Sequence, residues 1–199
     1  YKRQIYRGVR SASFLKEDWQ IITLERLFQK MYGNSLNQML WKMDDAEQRL
    51  RFLEEQVERM TGLRGFGLYL NKLLTIDAIF LNEDRHTHNI AVLMNGAGMF
   101  KYCPIFDNGL SLLSDLNDYP LTDDLYTCIE RVQAKPFDSD HVEQVTAAEQ
   151  LYGRQLTFRI SHEELRSELN LLSEAYSPDI LQRAERVLLE QKRKHSWLF

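Results

Sequence analysis

Apolar residues recur along much of this chain at spacings of three and four, the period of one face of an α-helix. The clearest stripe follows Asp44 and consists of Ala46, Leu50, Leu53, Val57 and Met60. Asp44 and Glu47 are spaced as a capping box, and Gly62 is of the residue type that commonly ends helices. The pattern predicts an amphipathic helix between Asp44 and Gly62.

The segment from Phe66 to Leu81 is apolar on nearly every side. A helix of that kind is buried all round, so we expect it at the centre of the domain. Two more helices are predicted near the end of the chain. Ser161 and Glu164 form a second capping-box pattern, and Ser177-Pro178 can begin a helix because proline is tolerated in the first turn.

Patterns typical of strands are few and lie in the middle of the chain. Segments 89–94 and 99–105 are predicted strands, and Asn95-Gly96-Ala97-Gly98 between them is typical of a hairpin turn. The sequence contains no internal repeat and no linker rich in proline and glycine. We therefore predict a single, mostly α domain with one small β-hairpin.

Composition limits the classes of function. The 199 residues carry a net charge of −4, without the basic footprint of a nucleic-acid binder, so no direct nucleic-acid binding is expected. Charged residues interrupt every apolar stretch before it could span a bilayer, so no membrane association is expected. Two cysteines make no disulfide framework, which fits a cytoplasmic location.

The residues that carry chemistry lie between Asn82 and Gly109. Asp84 follows the predicted central helix, Asn89 comes five residues later, and Asp107-Asn108-Gly109 follows the hairpin. Protein kinases have a base and a metal-binding Asn at this interval, and then a metal-binding Asp in Asp-Phe-Gly. Few protein ligands are needed there, because Mg²⁺ also binds the nucleotide phosphates.

These motifs resemble the C-terminal kinase domain of the HipA-like Ser/Thr kinase family, which is similar in fold to protein kinases and phosphatidylinositol kinases. Asp84-Arg85-His86-Thr87-His88-Asn89 matches the family's catalytic loop, and the segments 104–109 and 135–137 resemble the stretches that follow it. The resemblance implies an ATP- and Mg²⁺-dependent kinase, with a protein substrate and a setting in a toxin–antitoxin system.

The resemblance also implies roles for individual residues. Asp84 would be the catalytic base, and Asn89 and Asp107 the metal ligands. Supporting positions would shape the loop or hold it by hydrogen bonds: Arg85, His86, Asp77 and Gly109. Considered alone, Asp77 in an apolar helix also fits a buried polar group with a purely structural role.

The implied fold is the C-lobe of a protein-kinase-like domain over residues 1–199. Residues 1–20 would be a hinge or linker remnant, 66–111 the catalytic core and 112–199 the C-terminal helices. The sequence has no G-x-G-x-x-G loop to cover phosphates. We therefore expect that the N-lobe is absent from the chain, that it or a partner supplying it is needed, and that the isolated chain folds without transferring phosphate.

Other hypotheses remain open at this point. The chain could be a catalytically inactive, kinase-like binding or regulatory module, and the acceptor could be a lipid or small molecule. His86 and His88 allow a zinc site, but His141, His162 and His195 lie in charged surroundings typical of surface positions. Segment 115–124 is predicted to be a surface loop.

Overall fold

A computed structural model describes residues 11–199, in which eight helices and three strands are formed. In chain order they are β1 (Trp19–Thr23), α1 (Leu24–Tyr32), α2 (Leu36–Leu40), α3 (Ala46–Thr61), α4 (Phe66–Phe80), β2 (Ala91–Asn95), β3 (Phe100–Tyr102), α5 (Leu125–Arg131), α6 (His141–Tyr152), α7 (His162–Asn170) and α8 (Pro178–Lys194), with a 3₁₀ turn at Ser196–Leu198. The predicted linker, residues 1–20, falls partly outside the described residues and ends inside β1.

The prediction of a central buried helix is confirmed by α4. It packs against α3, α6 and α8, and its apolar side chains Phe66, Leu70 and Leu73 are fully buried. Gly67 allows the close approach of α6, because a Cβ there would lie only 2.2 Å from the Tyr152 ring. The helix ends at Leu81, whose φ of 49° is left-handed.

Local capping rules predicted three of the helix ends correctly. Ser161 and Glu164 form the expected capping box, Gly62 ends α3 with a φ of 72°, and Pro178 begins α8. The assignment of Asp44 as the cap of α3 was wrong. Asp45 is the N-cap, and its carboxylate accepts a hydrogen bond from the Gln48 amide at 2.8 Å.

The predicted hairpin is present, but the prediction of one hairpin as the only β-structure was wrong. Strands β2 and β3 pair as expected, and β1 pairs antiparallel with β2 to give a three-stranded sheet in the order β1-β2-β3. Where α1 begins, the Leu24 amide donates a hydrogen bond to Ile90 O, beside the predicted catalytic loop, at 2.8 Å. Strand β1 and the start of α1 therefore connect the beginning of the described chain to residues 87–90.

The surface position expected for three histidines was wrong for two of them. His141 and His195 are buried, at 5% and 0% exposure, because they lie at the packed start of α6 and end of α8, whereas His162 is exposed. The predicted surface loop 115–124 is mostly exposed, but its Tyr119 is buried in a small apolar cluster with Leu113 and Val187. No helix of the described chain is long and apolar enough to cross a membrane.

Candidate active site

A buried ion pair lies where α4 ends and the predicted catalytic loop begins. Arg85 Nε donates to Asp77 Oδ2 at 2.8 Å, and Arg85 Nη2 donates to Asp77 Oδ1 at 2.9 Å. Both side chains are almost completely buried. Burial raises the pKa of Asp77, and the hydrogen bonds from Arg85 and Asn82 act in the opposite direction.

The other Arg85 donors reach two further segments. Nη1 donates to the carbonyls of Asn89, at 2.9 Å, and Phe106, at 2.7 Å. Nη2 also donates to Asn108 Oδ1. Since a guanidinium has five N–H groups, every donor of Arg85 is used. One side chain thus links α4, the predicted catalytic loop and the segment that contains Asp107.

Asn89 and Asp84 are joined directly within the loop. Asn89 Nδ2 donates to the Asp84 carbonyl at 2.9 Å, and the Asn89 amide donates to His86 O at 2.8 Å. Within residues 11–199, nothing donates a hydrogen bond to Asn89 Oδ1. The side chain is therefore fixed through its nitrogen, and its oxygen is left as a potential ligand.

The carboxylate of Asp84 is partly exposed and has a side-chain nitrogen near each oxygen. His86 Nε2 lies 3.7 Å from Oδ2, and Lys135 Nζ lies 3.7 Å from Oδ1. Sequence reasoning missed the contact with Lys135, which comes from the loop before α6. No local pattern could have indicated it, because the two residues are distant in the chain.

Asp107 is exposed and adopts a left-handed backbone with a φ of 55°. Asp tolerates this conformation better than most residues. Its neighbours on both sides, Phe106 and Asn108, are held by Arg85. The Asp107 carboxylate accepts no hydrogen bond from the described part of the chain. The segment is thus fixed by its flanks, while the carboxylate itself stays available.

The structure gives no steric role to Gly109, and it gives Asn82 a supporting role that the sequence did not suggest. A Cβ on Gly109 would meet open space, so the geometry gives no steric reason for glycine at this position. Asn82 was not predicted, yet its Nδ2 donates to Asp77 Oδ1 at 2.8 Å and its Oδ1 accepts from the Asp84 amide at 3.2 Å. Asn82 therefore helps to position the backbone of Asp84.

The available donors can be compared with the needs of a magnesium ion. The Asn89 carboxamide oxygen and the Asp107 carboxylate accept no hydrogen bond from residues 11–199. Over the same residues, no group of three or more His, Cys, Asp or Glu side chains could hold a metal ion. The oxygen pair is the kind of donor set that suits Mg²⁺ when phosphates supply further ligands. The metal and catalytic roles of these residues stay predictions.

Comparisons with known proteins give a likeness of fold. No family model matches the chain, and no curated protein matches it. Among solved structures, the chain is similar to the crystal structure of the Helicobacter pylori proinflammatory kinase CtkA. The TM-score is 0.58 over 92% of this chain and 70% of that chain, with 17% sequence identity. At this identity the similarity shows the fold alone: a mostly helical, kinase-like domain with a small antiparallel sheet.

Proposed function

We propose that this chain is the catalytic lobe of an ATP- and Mg²⁺-dependent phosphotransferase that acts on a hydroxyl group. The observation that carries the proposal is the set of five hydrogen bonds made by Arg85. They join the two segments that a kinase needs beside each other, the loop 84–89 and the segment 106–108. Similarity of fold to a kinase supports the same activity.

Each residue of the site has a chemical task under this proposal. Asn89 and Asp107 would hold Mg²⁺, which supplies charge neutralisation for the phosphate oxygens when bound. Asp84 would orient the acceptor hydroxyl and take its proton. Arg85, paired with Asp77, keeps the loop and the Asp107 segment in a fixed relation. Lys135 lies beside the Asp84 carboxylate and would balance its charge.

The sequence motifs support a more specific proposal for the type of kinase. The match of residues 84–89 to the HipA-like catalytic loop favours a Ser/Thr protein kinase of that family, in an antitoxin-controlled system. The likeness to CtkA is compatible with a protein-directed kinase. An N-terminal lobe, in a longer chain or a partner, would supply the second half of the nucleotide site.

The metal ligands are tested by nucleotide binding. In a form of the protein that includes the predicted N-terminal lobe, we expect a non-hydrolysable ATP analogue to bind with Mg²⁺. Its affinity should fall at least about tenfold in Asp107→Asn, because an amide oxygen is a weaker ligand. Asp84→Asn should leave binding nearly unchanged, since the base contacts the acceptor. Titration calorimetry with and without Mg²⁺ measures both. Asp118→Asn, an equally exposed acid outside the site, is the matched control.

Transfer of labelled phosphate is tested in a form of the protein that includes the predicted N-terminal lobe. Asp84→Asn should lower the rate by about a hundredfold or more, as expected for loss of a general base. Equal rates for Asp84→Asn and wild type, both folded by circular dichroism, would refute the catalytic role of Asp84. Nucleotide binding that ignores Mg²⁺ and Asp107→Asn alike would refute the metal site and favour the inactive binding module.

A further inference from the structure

A polar cavity of about 580 Å³ opens beside the candidate catalytic loop. Its volume is typical of ligand sites in proteins. Three parts of the chain form its sides: the loop around residues 86–88, helix α2 with its flanks, and the segment 133–139. The residues that matter for recognition are His86, His88, Asn37, Trp41, Gln133 and Lys135.

One side of this cavity is fixed to the catalytic loop by Glu25. Its carboxylate accepts hydrogen bonds from the amides of Leu36 and Asn37, each at 3.1 Å, and from Thr87 Oγ1 at 2.7 Å. Burial raises the pKa of Glu25, but the polar groups of Ser35, Thr87 and the Asn37 amide outweigh it, so the pKa is lowered. Because its charge is already partnered, Glu25 acts as a clamp and does not present a free anion to a ligand.

The opposite side is fixed by Arg49. Its Nη1 donates to Phe137 O at 2.6 Å, and its Nε donates to Leu40 O at 3.2 Å. Phe137 is fully buried, and its amide donates to Gln144 Oε1 at 2.9 Å. Arg49 therefore ties the end of α2 to the segment that carries Lys135, so both walls are held at a set separation.

The groups left free in the cavity are suited to an extended peptide. The side chains of Asn37 and Gln133 make no hydrogen bonds within residues 11–199, and each carboxamide can match both polar groups of a peptide unit. Trp41 is 53% exposed, with one ring face covered by the Arg49 guanidinium at 4.2 Å. Because the Arg49 contact holds the ring in place, its other face can bind an apolar side chain of a ligand.

Lys135 connects the cavity to the candidate base. It lines the cavity, and its ammonium lies 3.7 Å from Asp84 Oδ1. A ligand in the cavity would therefore lie beside the carboxylate of Asp84. The mostly apolar cavity of about 650 Å³ between α7 and α8 has none of the residues 82–91 in its lining, so it offers no acyl-chain channel leading to this carboxylate.

We propose that the polar cavity is the acceptor site and that the acceptor is an extended peptide. An apolar side chain would pack on Trp41, peptide amides would bond to Asn37 and Gln133, and a serine or threonine hydroxyl would reach Asp84. The proposal rests on the proposed function where it gives Asp84 the hydroxyl. The binding of peptide does not depend on nucleotide.

The test uses the 199-residue chain and a displayed library of random peptides with a fixed central serine or threonine. Selected peptides should bind wild type, and Trp41→Ala and Gln133→Ala should each weaken binding at least about tenfold. The matched control is Tyr126→Ala, an aromatic residue of nearly equal exposure, 54%, outside the cavity. A photoreactive residue in place of the central serine should label residues 84–88 or Lys135.

The outcomes separate this proposal from the proposed function. Absence of selected peptides, or peptides that bind Trp41→Ala and Gln133→Ala as tightly as wild type, would overturn it. Vesicles containing phosphatidylinositol that bind in a Trp41-dependent way, without peptide binding, would also overturn it in favour of a lipid. Asp107→Asn should keep peptide binding. Peptide binding, combined with no Mg²⁺-dependent nucleotide binding by the form that includes the predicted N-terminal lobe, would therefore refute only the phosphotransferase.

Discussion

The guanidinium of Arg85 and the imidazole rings of His141 and His195 are all buried, but their surroundings are opposite. All five donors of Arg85 have partners, two of them on the carboxylate of Asp77. All four ring nitrogens of the two histidines lack a hydrogen-bond partner within residues 11–199. Burial is the main cause that lowers the pKa of each histidine to about 4; the charge of Lys194 contributes at both, and that of His195 contributes at His141.

The difference shows which part of the molecule is built to hold charge. A buried charge is tolerated only when it is paired and hydrogen-bonded, and otherwise the group becomes neutral. The site around Arg85 meets both conditions, because the guanidinium is paired with Asp77 and all its donors are hydrogen-bonded. The corner where α6 begins and α8 ends accepts the histidines only as neutral rings, although Asp140 lies near both and favours their protonation.

Removing the arginine should have the largest effect on stability. Arg85→Met leaves Asp77 buried without its counter-ion, which typically costs about 3–5 kcal/mol. Urea unfolding should show this loss, and Arg131→Met, at an exposed ion pair, should cost under about 1 kcal/mol. The double variant Arg85→Met/Asp77→Leu should regain part of the loss. A cost below about 1 kcal/mol for Arg85→Met would contradict the central role of this residue.

Acid should lower the unfolding free energy through His141 and His195, by an amount between the effects expected for Arg85→Met and Asp107→Asn. Between pH 6.5 and about 4 the unfolded chain binds protons at His141 and His195 that the folded chain does not. The unfolding free energy should therefore fall as pH decreases through this range, by up to about 1.4 kcal/mol per pH unit per histidine. Well above pH 6.5 both histidines are neutral in the folded and the unfolded chain, so they add no pH dependence to the unfolding free energy.

Urea midpoints from pH 4.5 to 7.5 measure this effect. The double variant His141→Gln/His195→Gln should lose the histidine part of the slope, while His162→Gln, at an exposed histidine, should keep it. Parallel pH profiles for wild type and the double variant would show that the buried rings do not titrate as described.

The smallest effect on stability is expected at Asp107. Its carboxylate is exposed and accepts no hydrogen bond from the described residues, so Asp107→Asn should change the unfolding free energy by less than about 0.5 kcal/mol. Asn also tolerates the left-handed backbone. A loss above about 2 kcal/mol would mean that Asp107 supports the fold. Loss of Mg²⁺-dependent nucleotide binding in this variant could then not be assigned to the metal site.

The sequence by itself determined features that depend on neighbours within a few residues. The capping box of Ser161 and Glu164, the end of α3 at Gly62 and the buried character of α4 follow from local hydrogen bonds and helical periodicity. The spacing from Asp84 to Asn89 is local as well, and it was sufficient to name the candidate site. Even local rules were ambiguous at Asp44 and Asp45, because either carboxylate could cap the helix.

Only the tertiary structure decided what distant segments do to one another. Strand β1 shows no clear alternation of apolar and polar residues, and its partner β2 lies far along the chain. Lys135 reaches Asp84 because Phe137 is buried and held by Arg49. The charged neighbours of His141 and His195 suggested exposure, yet these rings are enclosed by the packing of helix ends. Such contacts depend on how the chain closes over long separations, which spacing within a segment does not encode.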